Sequence, residues 1–166
     1  MKRVFGIAGY KNSGKTTLVV ELIQQFTQRG LKVATLKHAH HDFDVDQPGK
    51  DSYQHREAGA AEVMVVSGRR WAHIREFGDE PEPGFDEALA QLGEVDLVLV
   101  EGYKHGTHPR LELRRSEVDA PEITGEGVVA IVSDVAIEGV ELPVLIRDDV
   151  PAIADFILRE TGLAAG

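Results

Sequence analysis

The residues Gly9-Tyr10-Lys11-Asn12-Ser13-Gly14-Lys15-Thr16 have the spacing G-x-x-x-x-G-K-T. Those types at that spacing suit the phosphates of a nucleoside triphosphate. Gly9 and Gly14 let the backbone turn and approach phosphate oxygens with no Cβ in the way. The N–H groups of such a loop, and of a helix starting at its end, face the β- and γ-phosphates. Lys15 adds a point charge, and the Thr16 hydroxyl is placed to ligate Mg²⁺. A chance glycine-rich turn would lack the flanks. Here residues 4–8 read as a buried strand and residues 17–23 carry a helical pattern, the context the motif needs.

Mg²⁺ at such a loop also calls for an acid at the end of a neighbouring apolar strand. Glu101 is the candidate for this metal-binding or catalytic role. It follows the most apolar run of the chain, residues 95–100, at the edge where open α/β sheets hold ligands. Direct ligation, ligation through water, and orientation of an attacking water all stay open to it. Asp96 is an alternative by type but stands at the opposite end of that strand. A second cluster spans residues 37–51. Its Asp42, Asp44 and Asp46 suit Mg²⁺ or a nucleotide-sensitive switch. Its His38, His40 and His41 suit a transition metal, although their spacing fits no closed site. A solvated polar loop is the plainer reading. No N-K-x-D is present to read guanine. Ser133-Asp134, after an apolar run at 128–132, occupies the place of a base-reading carboxylate.

The elements that position these groups follow from pattern. A helix over residues 15–29 stops at Gly30, and residues 31–37 form a second strand. Asp51 or Ser52 caps a short helix ending before Gly59. Residues 62–67 and 71–77 read as a hairpin, and residues 85–92 as a helix ending at Gly93. The run at 95–100 lacks alternation, so it is buried on both faces and central. A short strand at 111–113 interrupts a mixed stretch. Strands at 128–132 and 143–146 precede a last helix, capped by Asp148 or Asp149 with Pro151 in its first turn. The reading is a three-layer α/β fold with a mainly parallel sheet and helices on both faces. Trp71 reads as core or interface. Arg110, Arg114 and Arg115 read as a solvated face, with an anionic ligand or a partner as the alternative.

The length of 166 residues suggests one domain, and 42% hydrophobic residues argue against disorder. The net charge of −10 argues against nucleic-acid binding as the main task. Lys11, Lys15, Lys37, His38, His40, His41, Lys50, His55 and Arg56 nevertheless concentrate basic groups in the first third, as a phosphate-rich ligand requires. No apolar stretch approaches a membrane span, and Met1-Lys2-Arg3 runs straight into the first strand rather than into a signal peptide. The absence of cysteine excludes disulfides and thiolate sites and fits a cytoplasmic protein.

Three blocks together resemble the MobB family of molybdenum-cofactor biosynthesis. They are residues 9–18; Lys37-His38 with His41, Phe43-Asp44, Asp46, residues 48–52 and residues 55–60; and residues 96–104. The first block is shared by many nucleotide-binding families, and the second is far more specific. The resemblance implies a P-loop NTPase-like fold, a homodimer and weak, Mg²⁺-dependent GTP hydrolysis. It implies an adapter that assists a MobA-type guanylyltransferase, the enzyme that joins GMP to molybdopterin. Carried over by position, Gly9, Tyr10, Lys11, Asn12, Ser13, Gly14, Lys15, Thr16 and Thr17 bind the phosphates of GTP, and Thr16 and Glu101 serve Mg²⁺. Residues 37–60 then contact nucleotide, pterin phosphate or partner, with molybdopterin or its guanine dinucleotide as a further ligand. The preference for GTP over ATP rests on the resemblance alone.

Two rivals share the phosphate loop. A metallochaperone GTPase of the urease or hydrogenase type would use the histidine loop, but the missing cysteine and the block at residues 48–60 oppose it. A small-molecule kinase would need an acceptor pocket and an arginine-rich lid, for which Arg69-Arg70 and Arg114-Arg115 are slight.

Overall fold

The computed structural model describes residues 2–39, 43–103, 106–119, 121–123 and 126–163. The chain divides into two compact units, Met1–His38 with Phe85–Gly166, and Ala39–Gly84. His40, His41 and Asp42 of the polar loop lie outside the described residues.

The larger unit contains β1 (Arg3–Gly9), α1 (Lys15–Gln28), β2 (Val33–Lys37), α3 (Phe85–Ala90), β5 (Leu97–Glu101), β6 (Arg110–Arg114), β7 (Val128–Ser133), β8 (Val144–Ile146) and α4 (Val150–Glu160). The smaller contains α2 (Asp51–Glu57), β3 (Glu62–Val66) and β4 (Trp71–Arg75). Six strands form one sheet in the order β2-β5-β1-β6-β7-β8, and every pairing in it is parallel. The fold is thus α/β with a parallel sheet, as expected. Parallel neighbours need helical crossovers, which is why the strands are nearly continuous apolar runs.

Alternation along the strands divides the core. Phe5, Ile7, Leu97, Leu99, Leu111, Leu113, Ala130 and Val132 join Leu18, Leu22 and Phe26 of α1 and Ile153 and Ile157 of α4 in one buried cluster. The spacing 18, 22, 26 places one stripe of α1 on the sheet. Arg29 is the C-cap of α1, followed by Gly30 at φ 82°, a left-handed conformation that glycine adopts without a Cβ penalty. Asp149 caps α4 by accepting from the Ala152 N–H at 3.1 Å, with proline in the first turn.

The opposite face carries the surprise. Arg110 and Glu112, on the odd-even phase away from α1, are only 2% exposed. Arg110 is therefore not on a solvated face. Its guanidinium donates to the Tyr103 carbonyl at 3.4 Å and to the Glu126 carbonyl. Glu112 accepts from Arg114 at 2.6 Å and from the Ile123 N–H at 2.7 Å. Loop carbonyls meet Arg110, and a loop N–H with the Arg114 guanidinium meets Glu112, so the buried charges are hydrogen-bonded. The ring of His108 stacks on Phe85 at the start of α3, with centroids 4.8 Å apart. Burial, and then the charge of Arg110, hold this histidine below its ordinary pKa.

Gly6 makes that packing possible. A Cβ there would meet Arg110 Cβ and His108 Nε2, both at 2.8 Å. Gly6→Ala is expected to destabilise the protein by about 1–3 kcal/mol through overpacking, read as a lower midpoint in chemical denaturation. An unchanged midpoint would show that His108 can move aside freely.

In the smaller unit β3 and β4 form an antiparallel hairpin, Glu62 opposite Arg75 and Val66 opposite Trp71. Trp71 is 62% exposed, which removes the core reading. Helix α2 begins at Asp51, one residue earlier than a cap at Asp51 requires and two earlier than a cap at Ser52 requires. Lys50 holds the N-cap position without a side-chain bond, and the Ser52 hydroxyl donates to Asp46 at 2.9 Å instead. Among the described residues no helix is long and apolar enough to cross a membrane.

Candidate nucleotide-binding site

The sheet order puts β1 between β5 and β6, so the loop after β1 emerges at the centre of the sheet's C-terminal edge. Glycines shape that loop. A Cβ at Gly9 would come within 2.6 Å of Ser13 Oγ and 2.9 Å of the Leu113 carbonyl. Gly14 has φ 86° and Asn12 φ 66°, both left-handed, so the chain turns sharply before α1. Gly14 is the N-cap of α1 and supplies no side-chain bond to the helix. The first N–H groups of a 14-residue helix therefore lack a side-chain cap, the arrangement that favours an anion. Lys15 Nζ donates to the Tyr10 carbonyl at 2.6 Å, which keeps the ammonium folded over its own loop. Thr16 and Thr17 are exposed at the first turn.

Glu101 ends β5 opposite Ile7 of β1 and Lys37 of β2. Its carboxylate lies 3.3 Å from Lys37 Nζ, with the glutamate side chain 15% exposed. The His38 N–H donates to the Glu101 carbonyl at 2.9 Å. Gly102 and Tyr103 follow at φ 100° and 49°, and a Cβ at Gly102 would meet His38 Cβ at 3.0 Å. Tyr103 then packs on His38, with centroids 4.6 Å apart, and against Phe85 at 5.0 Å. A tight turn held by three rings fixes where Glu101 ends. Asp96 stands at the other end of β5, where it accepts from the Lys32 N–H at 2.7 Å, so its role is to join the starts of β2 and β5.

The donor set fits the groups expected here. An uncapped helix start, a loop that excludes any Cβ at Gly9 and a lysine ammonium suit phosphate oxygens. A threonine hydroxyl and a strand-end carboxylate are the hard oxygen donors Mg²⁺ takes.

Asp44 and Asp46 have another task. Arg56 binds Asp44 at 2.9 Å, Asp46 at 3.5 Å and Glu76 at 2.8 Å. The hydrogen bond from Arg56 holds the Asp44 carboxyl below its ordinary range. A carboxylate lowered in this way contributes stability above its unfolded pKa and loses it as pH falls through the folded value. Within the smaller unit, these two acids are thus structural partners of Arg56.

A cavity of about 210 Å³ adjoins the phosphate loop, reached by Tyr10 and Ser13 from one side and by the ends of β6 and β7 from the other. Asp134 is beside it in sequence. Its carboxylate accepts from the Ser116 N–H at 2.9 Å and the Ser116 hydroxyl at 3.1 Å. Composition gave no sign of this cavity, because it is assembled from Glu112, Arg114 and Ser133, residues of strands that pair only in the fold.

The sequence model of the family described as "Molybdopterin guanine dinucleotide synthesis protein B" matches residues 4–134, which contain the phosphate loop and Glu101. The chain belongs to the MobB family. The chain is 38% identical over 161 residues to the molybdopterin-guanine dinucleotide biosynthesis adapter protein of Escherichia coli strain K12, covering 94% of this chain and 91% of the relative. It is 40% identical over 159 residues to the adapter protein of the same name from Haemophilus influenzae, covering 93% and 86%. Its fold is similar to the crystal structure of a MobB homologue from Bacillus stearothermophilus, with a TM-score of 0.75, 27% identity, and 98% and 99% of the two chains covered. Family membership therefore stands on nearly the whole chain and reaches well past the phosphate loop, which many families share. The more specific MobB-like block at residues 37–60 lies inside the matched span.

Proposed function

We propose that this MobB-family protein is a GTP-binding adapter of molybdopterin guanine dinucleotide biosynthesis that assists a MobA-type guanylyltransferase. The observation that carries the nucleotide half is the Gly9–Thr17 loop, closed by glycine geometry around the uncapped start of α1. The adapter half is supported by relatives named as adapter proteins over most of their length. On this reading Gly9 to Thr17 hold the triphosphate, Thr16 and Glu101 hold Mg²⁺, and Lys37 holds the Glu101 carboxylate in place until the metal enters. Mg²⁺, when bound, would neutralise charge on the phosphates. Weak GTP hydrolysis follows from Glu101 orienting a water.

A homodimer is part of the proposal. The β3–β4 hairpin exposes Met64 at 57%, Val66 at 70% and Trp71 at 62%, an apolar surface of the kind a second copy covers. Cytoplasmic location fits a chain without cysteine. The test of the adapter reading is an assay of guanine dinucleotide formation by a MobA-type enzyme with molybdopterin and Mg·GTP. Adding this protein is expected to raise the yield severalfold at limiting GTP. No change over a tenfold range of added protein would contradict it.

A further inference from the structure

Strand β6 lies inside the sheet, between β1 and β7, where apolar side chains are the rule. Arg110 stands there with 2% of its surface exposed. Among the described residues no carboxylate pairs with it, and burial pulls its pKa down. The acid two residues on, Glu112, is taken by Arg114 and by the Ile123 N–H. The side chain beside it, His108, is itself basic. Neither the ring nitrogens of His108 nor Arg110 Nε finds a partner among the described residues. A buried charge without a counter-charge works against folding. What Arg110 does hold is two loop carbonyls, those of Tyr103 and Glu126. An arginine at this position is therefore explained by those contacts rather than by the stability of the core.

One of the two carbonyls belongs to the turn that follows Glu101. Tyr103, two residues on, holds φ 49°, a left-handed conformation that is strained for an aromatic residue. Such a conformation persists only where the surroundings over-determine it, and it gathers at functional sites. Gly102, at φ 100°, lies against His38, whose N–H donates to the Glu101 carbonyl at 2.9 Å. The Tyr103 carbonyl accepts from the Gly106 N–H at 2.9 Å and from Arg110 at 3.4 Å. The second of these is long, but its donor carries a full charge in a buried place. The same guanidinium holds the Glu126 carbonyl, so it ties the turn after β5 to the segment that leads into β7.

We propose that Arg110 is a positioning residue for Glu101, acting through the Tyr103 turn, whose hold sets where the Glu101 carboxylate stands. The inference rests on the reading of Glu101 as the acid that serves Mg²⁺ and the attacking water. It separates two quantities that usually fall together. Loss of the arginine relieves the core of an unpaired charge and at the same time slackens the turn at the site.

The experiment compares the full chain with its Arg110→Met, Arg110→Lys and Glu101→Gln variants. Methionine occupies the slot without a charge, so the midpoint of Arg110→Met in chemical denaturation is expected to match or exceed the parent's. Its affinity for Mg·GTP is expected to stay within about threefold. Its single-turnover GTP hydrolysis is expected to fall about tenfold or more, because a small misplacement of a reacting group is costly in rate. Hydrogen exchange at the His38 and Gly106 amides, measured without nucleotide, is expected to quicken about tenfold while the amides of β1 keep the parent's rates. Lysine keeps the charge and a donor but not the fork that spans two carbonyls, so Arg110→Lys is expected to recover part of the lost rate. Hydrolysis and turn amides equal to the parent's in Arg110→Met would overturn the proposal. So would a lowered midpoint with faster exchange across the whole sheet, which is what a merely structural arginine gives. Hydrolysis at the parent rate in Glu101→Gln would sink the reading of Glu101 instead. Faster exchange confined to the turn would then still support Arg110 as its anchor, and unchanged exchange would overturn that too.

Discussion

Lys15→Ala is expected to lower the affinity for Mg·GTP by about 100-fold or more. A hydrogen bond to a charged group contributes roughly 1.5–3 kcal/mol, and each 1.4 kcal/mol is about tenfold in affinity. The ammonium can reach more than one phosphate oxygen, so the larger end of that range applies. Lys15 also donates to the Tyr10 carbonyl at 2.6 Å, so alanine loosens the ligand-free loop as well. The fold does not depend on this contact, because α1 is anchored by Leu18, Leu22 and Phe26, all fully buried. The measurement is calorimetry, with the thermal midpoint as control. Unchanged affinity would mean that the triphosphate binds elsewhere.

Glu101→Gln separates binding from turnover. Glutamine keeps the size of the side chain and an acceptor oxygen, so affinity for Mg·GTP is expected to stay within about threefold of the parent. The charge that ligates Mg²⁺ or draws a proton from water is gone, and a positioned acid–base group contributes typically 10²–10⁴-fold. Hydrolysis is therefore expected to fall about 100-fold in single-turnover assays. Hydrolysis at the parent rate would move the role off Glu101. Among the acids weighed beside it, Asp44 and Asp46 are held by Arg56 in the smaller unit, and Asp96 stands at the wrong end of β5. Such a result would point to an acid not yet considered, or to Asp42.

The parts legible in the sequence are those where local pattern and tertiary role agree. The phosphate loop needs glycine for steric reasons that letters alone carry. Residues 97–100 of β5 are all apolar because both faces are covered, and the strand is internal, between β2 and β1. The Asp149 cap and the proline after it mark α4 by rules that involve only neighbours. Strand β6 shows the opposite case. Arg-Leu-Glu-Leu-Arg alternates like an edge or half-exposed strand, yet it is internal and buried. Its arginine and glutamate are matched by loop carbonyls and an N–H more than ten residues away, except for the Arg114 and Tyr103 contacts nearer in sequence. No local rule foretells such partners. The start of α2 failed for a related reason. Asp46, six residues away, takes the Ser52 hydroxyl that the cap reading assigned to the helix. The cavity was invisible because its walls come from separate elements.

The central claim is that the Gly9–Thr17 loop binds GTP in preference to ATP for an adapter task. It is tested most directly by titrating the purified protein with GTP and with ATP, each with Mg²⁺, in one calorimetric series. The account predicts saturable binding of GTP at about tenfold or more higher affinity than ATP. Equal affinities, or a preference for ATP, would contradict it and favour a small-molecule kinase on the same phosphate loop.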